Sequence, residues 1–344
     1  MWQYRIVSND GGKNFVERAD GIPVNTILGF DISHRNNVQA IALDHNGVLV
    51  RDDKLYNGKW KPFGGGDASG ASINKIDDSW LYAIPSGVQL IKRPNTSLHG
   101  HPDYLSLGID IGSAYFSGYR NVQTHPNQFY TLITTARETN TNLPAGIYRS
   151  PNNAKSWELL KKFKGNNYWY GDVRISFADP KTMYAIESSE AGVFLWKTND
   201  DGNTWTDVYP HNSERDYFRA IRVVLSDTDP KKVWLATNSN NSVTEQVMYS
   251  ADGGVSWENY SQGLPEFKIY SMEYQRGSND GIYVGTEYGV YYRDATMSSW
   301  ILHGTQLPGI APTYMHIDYS NDKILLGTYR GIWENELYET GIVK

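Results

Sequence analysis

The chain has 344 residues and a formal net charge of −6, and it contains no cysteine. The acidic balance disfavours a nucleic-acid-binding protein, which usually carries a basic stripe. The lack of cysteine excludes a disulfide framework, a thiolate metal site and a cysteine nucleophile. No apolar run approaches the ~18 residues that a membrane-spanning helix needs, so we expect no insertion into a membrane.

Taken in chain order, the predicted elements repeat as a first strand, a turn, a second strand and a third strand that often opens with glycine. The chain shows no sustained helical period, which predicts strands throughout. The third strands begin at Gly47, Gly87, Gly146, Gly192, Val247, Gly289 and Gly331. Periods of about 40–50 residues are typical of propeller blades. We therefore predict an all-β, seven-bladed β-propeller of four-stranded antiparallel blades, with residues 1–344 forming one domain.

The two ends of the chain are predicted to close this ring. The last unit, PTYMHIDYSNDKILLGTYRGIWENEL, supplies three strands and then stops. The N-terminal segment could supply the missing fourth strand, which would join the two ends of the ring. That segment, WQYRIVSNDGGKNFVER, also fits a third strand, a turn and a fourth strand, so eight blades are an alternative. Because the chain begins in the middle of a repeat, we expect it to be a fragment of a longer, multidomain protein.

A recurring turn with the pattern Ser/Thr-x-Asp-x-Gly-x-x-Trp/Phe joins third strands to fourth strands. Its copies contain Ser8, Asp10, Gly12 and Phe15; Thr198, Asp200, Gly202 and Trp205; and Ser250, Asp252, Gly254 and Trp257; weaker copies end at Trp157 and Trp300. The hydroxyl and carboxylate oxygens can accept hydrogen bonds from the N–H groups that follow. The glycine can adopt a positive φ, and the terminal aromatic ring has a large surface to bury. We predict a structural role for these turns, with Trp157, Trp205 and Trp257 buried between neighbouring sheets.

The turn resembles the Asp-box, or BNR repeat, of propellers in sialidases, xyloglucanases and sortilin-type receptors. The stretch from Gly289 to Leu337 is similar to the ends of secreted, multidomain surface proteins from Bacteroidota. The resemblance implies export to the extracellular space or the cell surface, although the sequence carries no recognisable export signal. Because function varies widely among such propellers, the resemblance implies the fold and leaves the activity open.

The residues argue against a sialidase. Sialidases carry an Arg-Ile-Pro stretch before the first Asp-box, whereas the nearest match here, Gly21-Ile22-Pro23, lacks the arginine and follows such a turn. Arg174 and Arg222 lie in predicted first strands, where we expect each to pair with a neighbouring acid.

A glycoside hydrolase is an alternative that needs two carboxylates about 5–9.5 Å apart. The candidate acids lie in predicted loops before first strands and are Asp103, Asp110, Asp172, Glu214 and Asp216. A xyloglucanase cleft needs two propellers, and only one is predicted here. His99, His101 and Asp103 form one compact cluster of possible metal ligands, but we favour an ordinary polar loop and predict no metal and no cofactor.

We predict that a ligand binds the face of the ring that displays the loops between blades and the loops between second and third strands. We call this the loop face, and the opposite face, which carries the recurring turns, the turn face. Sugars stack their C–H faces on aromatic rings and pair their hydroxyls with polar groups. The predicted contact residues are Tyr168, Trp169, Tyr170, Asp172, Arg215, Tyr217 and Tyr119. Alternatively, Trp169 and Tyr170 fill the gap between adjacent blades.

The first hypothesis is a non-catalytic, monomeric binding module that recognises a glycan or another surface ligand. The second is a carbohydrate-active hydrolase, or one propeller of a two-propeller enzyme. The third is a protein-interaction or spacer module of a surface adhesin. A protein ligand would use the same aromatic and arginine side chains, so the residues do not separate the first hypothesis from the third.

Overall fold

The computed structural model describes residues 6–7, 16–17, 26–33, 36–44, 46–63, 68, 70–83, 89–92, 105–106, 122–136, 144–166, 168–211, 219–238, 245–304 and 311–341. Within them, strands dominate, and the single helix, α1 (Asp53–Tyr56), is one turn long. Asp52 caps this helix by accepting hydrogen bonds from the backbone nitrogens of Lys54 and Leu55 at 2.9 and 3.0 Å. The prediction of an all-β fold is confirmed.

The described strands form six four-stranded antiparallel sheets, numbered here in chain order. Sheet 1 contains β3 (Ile27–Ile32), β4 (Val38–Leu43), β5 (Gly47–Asp52) and β6 (Trp60–Phe63). Sheet 2 contains β7 (Ala71–Ile73), β8 (Trp80–Ala83), β9 (Gln89–Lys92) and β10 (Leu105–Ser106). Sheet 3 contains β11 (Gln123–Thr124), β12 (Leu132–Ala136), β13 (Gly146–Ser150) and β14 (Glu158–Lys162). Sheet 4 contains β15 (Tyr168–Ile175), β16 (Met183–Ser189), β17 (Gly192–Thr198) and β18 (Thr206–Asp207). Sheet 5 contains β19 (Arg219–Leu225), β20 (Val233–Asn238), β21 (Val247–Ser250) and β22 (Glu258–Asn259). Sheet 6 contains β23 (Ile269–Gln275), β24 (Gly281–Thr286), β25 (Gly289–Arg293) and β26 (Ile301–His303).

A further sheet, sheet 7, has only three strands: β27 (Tyr314–Asp318), β28 (Lys323–Thr328) and β29 (Gly331–Glu336). The prediction of seven four-stranded blades is therefore corrected to six such blades. The last unit was predicted to supply three strands of its own. Its fourth strand was predicted to come from the N-terminal segment, which the structure does not support.

The strands of the N-terminal segment, β1 (Ile6–Val7) and β2 (Val16–Glu17), pair with each other in a two-stranded sheet. They do not extend sheet 7 within the described residues, so the predicted closure by N-terminal and C-terminal strands is not observed. The first of the recurring turns, with Ser8, Asp10, Gly12 and Phe15, lies outside the described residues.

The sheets are arranged in a ring around a common axis, with their first strands innermost. The first strands of consecutive sheets contact one another, and β27 of sheet 7 contacts β3 of sheet 1. Each hydrophobic cluster draws its residues from two consecutive sheets, including the one formed by sheets 7 and 1. The second strands β4, β16 and β24 are buried along their whole length, because a sheet covers each of their two faces. Packing between sheets thus forms the core of the molecule.

Three of the turns between third and fourth strands, those of sheets 3, 4 and 5, share one hydrogen-bond pattern. The Thr198 hydroxyl accepts from the Gly202 nitrogen at 3.0 Å, and the Asp200 carboxylate accepts from the Thr204 nitrogen at 2.9 Å. The same two bonds recur in sheet 5, from Gly254 to Ser250 at 2.7 Å and from Ser256 to Asp252 at 2.9 Å. Sheet 3 repeats them with Asn152 in place of the aspartate.

The tryptophans that follow these turns differ in burial. Trp300 is only 3% exposed, and its ring nitrogen donates to the Tyr260 carbonyl oxygen at 2.6 Å. Trp157, Trp205 and Trp257 are half-buried, and each packs against a cluster formed by its own sheet and the preceding one. The prediction had these three rings buried between neighbouring sheets; they do pack against two neighbouring sheets, but part of each residue stays exposed.

Candidate functional site

Most of the predicted contact residues lie at positions where the structure describes no side chain. Tyr168, Trp169 and Tyr170 begin β15, the innermost strand of sheet 4, and only their backbone is described. The other predicted contacts, Tyr119, Arg215 and Tyr217, lie outside the described residues. Asp172 is described, and it is 7% exposed, with its carboxylate accepting from Arg174 Nε at 3.3 Å. This carboxylate belongs to the interior of the ring and not to an exposed loop.

The inner strands bring a cluster of charged side chains together near the axis. Lys75, which follows β7, donates to both carboxylate oxygens of Asp31 on β3, at 2.9 and 3.1 Å. The Ile73 nitrogen also donates to this carboxylate, at 2.7 Å. Burial alone would raise the pKa of Asp31, but the Lys75 charge and these hydrogen bonds hold it below its usual value. Asp31 is therefore a fixed negative charge inside the ring.

His316 on β27 lies close enough to Asp31 and Lys75 to respond to their charges. Burial lowers the pKa of His316 to about 4, and the Asp31 charge only partly opposes this shift. The His316 imidazole packs edge-on against the Phe30 phenyl ring, with ring centroids 5.3 Å apart. His316 is therefore neutral at physiological pH.

Glu273 on β23 faces the same interior from sheet 6. Burial raises its pKa to about 7, against the opposing charges of Arg174 and Lys75. Burial also disfavours the charge of Arg174, but Asp172 and Glu273 outweigh it and raise the pKa of the guanidinium. Glu273 is thus a carboxyl group that can gain or lose a proton near neutral pH, a property often found at functional sites.

A cavity of about 100 Å³ opens beside this cluster. Its lining includes Arg174, Glu273, Asp227, Arg276 and Tyr319, which lie at or beyond the ends of the first strands. Because the strands of each sheet are antiparallel, the loops after the first strands lie at the same end as the recurring turns. The cavity therefore opens on the turn face, whereas the sequence analysis expected a ligand on the loop face.

Two aromatic rings hold one arginine at the mouth of this cavity. The Arg276 guanidinium lies 4.8 Å from the Tyr319 ring centroid and 5.0 Å from that of Phe177, at distances typical of cation–π contacts. The backbone nitrogen of Arg276 also donates to the Tyr319 hydroxyl at 2.7 Å. These contacts order the side chain in a position between three sheets.

Exposed tyrosines mark the described part of the loop face. Tyr288, between the second and third strands of sheet 6, is 60% exposed, and Tyr329, at the matching place in sheet 7, is 56% exposed. Phe267, in the connection from sheet 5 to sheet 6, places its ring centroid 4.0 Å from that of Tyr288. The loop face thus presents aromatic rings that the core does not use.

The charged cluster and these tyrosines were not predicted from the sequence. The sequence did contain a signal for the cluster: charged residues stand at isolated positions in otherwise apolar first strands. For Arg174, the analysis expected pairing with an acid, and the structure shows that pair. Among the residues that the structure describes, no group of three or more His, Cys, Asp or Glu side chains could hold a metal ion.

The comparisons with known proteins agree with this architecture. Residues 145–299, less than half of the chain, match the family described as Sortilin, neurotensin receptor 3. The GH74 xyloglucanase from Xanthomonas campestris superposes with a TM-score of 0.70 at 13% identity, covering 98% of this chain and 54% of the enzyme. The GH74 enzyme from Niastella koreensis gives a TM-score of 0.67 at 14% identity, covering 93% of this chain and 53% of the enzyme. YCF48 bound to D1 peptide gives 0.62 at 12% identity, covering 94% and 95% of the two chains.

The ring of sheets and these similarities together define a β-propeller. The chain spans about half the length of the two GH74 enzymes that it resembles. No curated protein sequence matches it. Within the described residues, no helix combines the length and apolar character required to cross a membrane.

Proposed function

We propose that this chain is a non-catalytic binding module of an extracellular or cell-surface protein, and that it recognises a glycan through its loop face. The observation that carries the proposal is the pair of exposed tyrosines, Tyr288 and Tyr329, with Phe267 beside the first of them. Exposed rings are the side chains on which sugar faces stack. The similar fold of the GH74 xyloglucanase from Xanthomonas campestris supports a carbohydrate ligand.

The proposed surface extends from these tyrosines to the contact residues predicted from the sequence. It includes Tyr168, Trp169 and Tyr170 at the start of β15, together with Arg215, Tyr217 and Tyr119. We leave Asp172 out of the contact set, because its carboxylate is buried against Arg174. We further propose that the recurring turns are Asp-boxes with a structural role, and that residues 1–344 form one monomeric domain of a longer protein.

Binding is tested with a glycan array that is probed with the full chain, followed by affinity measurements on each hit. Tyr288→Ala should weaken glycan binding by roughly 1–3 kcal/mol, by analogy with the loss of a ring that stacks on a nucleic-acid base. Tyr130→Ala is the matched control, because Tyr130 is similarly exposed at 58% but lies on the turn face. Equal loss of affinity in both variants, or binding of no glycan, would contradict the proposal.

The second candidate function is that of a hydrolase, or of one propeller of a two-propeller enzyme. The coverage of about half of each GH74 enzyme favours it. Product analysis after incubating each bound glycan with the chain separates the two functions, since we expect no release of sugar, including sialic acid. If proteins but no glycans bind the loop face, a protein-interaction module of an adhesin becomes the better description.

A further inference from the structure

Among the described residues, four charged side chains line the cavity on the turn face. Two are cations, Arg174 and Arg276, and two are carboxyl groups, Asp227 and Glu273. Each of these groups lies within one small cavity wall, yet no hydrogen bond or ion pair in the described structure joins any two of them. Charges of opposite sign thus face a common space of about 100 Å³ without closing on one another.

The two cations keep donor capacity that the described residues do not use. Arg174 Nε donates to Asp172 Oδ2 at 3.3 Å, and the two terminal nitrogens of this guanidinium have no hydrogen-bond partner in the described structure. Arg276 is held by the Tyr319 and Phe177 rings, and it forms no ion pair with a described carboxylate. Because a guanidinium presents several N–H donors in a planar fork, these two groups are suited to a carboxylate of a ligand.

The two carboxyl groups differ in the partners that they already have. Asp227 accepts from the Tyr274 hydroxyl at 3.0 Å and from the Gly277 nitrogen at 3.1 Å, so each of its oxygens is engaged. Glu273 accepts no hydrogen bond from a described residue, although the Arg174 charge acts on it. Burial opposes the negative charge of Glu273. An ammonium group bound beside Glu273 would offset this loss of hydration and would supply the missing hydrogen bonds.

The charges that lie deeper in the ring are already balanced. Lys75 pairs with Asp31 at 2.9 Å, and burial keeps His316 neutral at physiological pH. Asp172 offsets part of the charge of Arg174. The groups that face the cavity are therefore of both signs, and neither an anion nor a cation alone would pair with all of them. A ligand with one charge of each sign is complementary to this arrangement.

The size and the surroundings of the cavity limit the ligand to a small molecule. A volume of about 100 Å³ equals that of roughly three water molecules, and it is below the ~150 Å³ of a cavity that accommodates benzene. Ile175, Val224 and Leu225 add an apolar part to the lining. On this face, the connections that follow β11, β15, β19, β23 and β27 are described throughout, so the border of the cavity there consists of described residues.

We propose that this cavity binds a small free amino acid, with the ligand carboxylate against the guanidinium groups of Arg276 and Arg174 and the ligand ammonium group against the Glu273 carboxylate. The apolar part of the lining accommodates a side chain as small as a methyl group. The cavity lies on the face opposite the proposed glycan surface, so neither proposal depends on the other.

A panel of four ligands tests whether both charges of an amino acid are needed. Isothermal titration calorimetry of the full chain at neutral pH should show saturable binding of L-alanine or glycine. Propionate lacks the ammonium group of alanine, and ethylamine lacks its carboxylate, so each should bind at least about tenfold more weakly than alanine or glycine. If propionate or ethylamine binds as well as the amino acids, or if neither amino acid binds up to roughly 50 mM, the proposal is overturned.

Matched variants test whether the binding takes place in the cavity. Arg276→Gln and Glu273→Gln each remove one charge and keep a polar side chain, and each should weaken amino-acid binding at least about tenfold. Lys155→Gln removes a charge from an exposed turn on the same face, and it should leave the affinity unchanged. Wild-type affinity in both cavity variants would contradict the proposed site. The ligand panel uses the unaltered chain, so it decides the question even if a variant fails to fold.

Discussion

At the residue scale, the recurring turns depend on two successive residues with positive φ. These pairs are Asp201 and Gly202 at 60° and 86°, Gly253 and Gly254 at 79° and 92°, and Asn153 and Ala154 at 55° and 63°. Two of these turns are also linked to the third strand of the preceding sheet, since Arg149 Nη1 donates to Asp201 Oδ2 and Lys197 Nζ donates to the Gly253 carbonyl oxygen, both at 2.9 Å. The second residue of the pair is glycine in two of the turns and Ala154 in the third, and alanine lacks the conformational freedom of glycine.

This comparison predicts opposite effects for two substitutions. Ala154→Gly should stabilise the protein by up to ~1 kcal/mol, because glycine removes the strain of a left-handed alanine. Gly202→Ala should destabilise it by ~1–2 kcal/mol, because the backbone conformation disfavours a Cβ and that Cβ would lie 2.8 Å from Leu160 Cδ1. Urea unfolding measures both. Ala185→Gly, in the buried strand β16, is the control and should lose stability; a similar loss for Ala154→Gly would contradict the argument.

At the element scale, the position of an aromatic residue within a blade decides how much that residue stabilises the ring of sheets. Trp300 is enclosed by the cluster between sheets 5 and 6, whereas Trp205 packs only partly against the cluster between sheets 3 and 4. The indole nitrogen of Trp300 bonds to Tyr260 of the preceding sheet. That of Trp205 bonds within its own turn, to the Gly202 carbonyl oxygen at 3.0 Å. Trp300 therefore joins two blades, and Trp205 mainly closes one turn.

We expect Trp300→Ala to cost ~3–5 kcal/mol in the free energy of unfolding, as for other buried aromatic residues. Trp205→Ala should cost less, about 1–3 kcal/mol, because less apolar surface returns to water. Chemical denaturation of the two variants provides the comparison, with Val255→Ala in an exposed turn as a control that should match the wild type. A larger loss for Trp205→Ala than for Trp300→Ala would show that burial does not govern these positions.

At the scale of the whole molecule, sheets 7 and 1 meet and close the ring, although sheet 7 has three strands among the described residues. The Tyr314 hydroxyl donates to the Leu28 carbonyl oxygen, and the Ser320 hydroxyl donates to Asn37 Oδ1 at 2.6 Å. Ring closure also places Asp31 of sheet 1, Glu273 of sheet 6 and His316 of sheet 7 in one interior, where the Asp31 charge acts on the pKa of the other two groups. The charged cluster is therefore a product of the closed ring.

The raised pKa of Glu273 predicts a pH dependence of stability. Burial raises this pKa from 4.5 to about 7 in the folded chain, so folding favours the protonated form. The stability linked to this proton is fully present below the unfolded value and is lost as the pH rises through about 7. The Glu273→Gln side chain cannot ionise. As the pH rises from 5 to 8, the unfolding midpoint of this variant should therefore rise relative to that of the wild type. Ser271→Ala, on the same strand, should keep a constant offset; parallel curves for Glu273→Gln would refute the prediction.

The sequence by itself determined the strands, the order of the units and the chemistry of the turns, because each depends on residues close together in the chain. In the turn from Thr198 to Trp205, these hydrogen bonds form within eight residues, and the residue pattern of the turn is sufficient to predict them. The three strands of the last unit were also predicted from PTYMHIDYSNDKILLGTYRGIWENEL, and the described residues of this unit form β27, β28 and β29.

Only the tertiary structure decided which side chains meet across the ring. Asp31 and Lys75 are separated by 44 residues, and their contact depends on how sheet 2 packs against sheet 1. The burial of the outer tryptophans likewise depends on the neighbouring sheet and not on their common place in a motif.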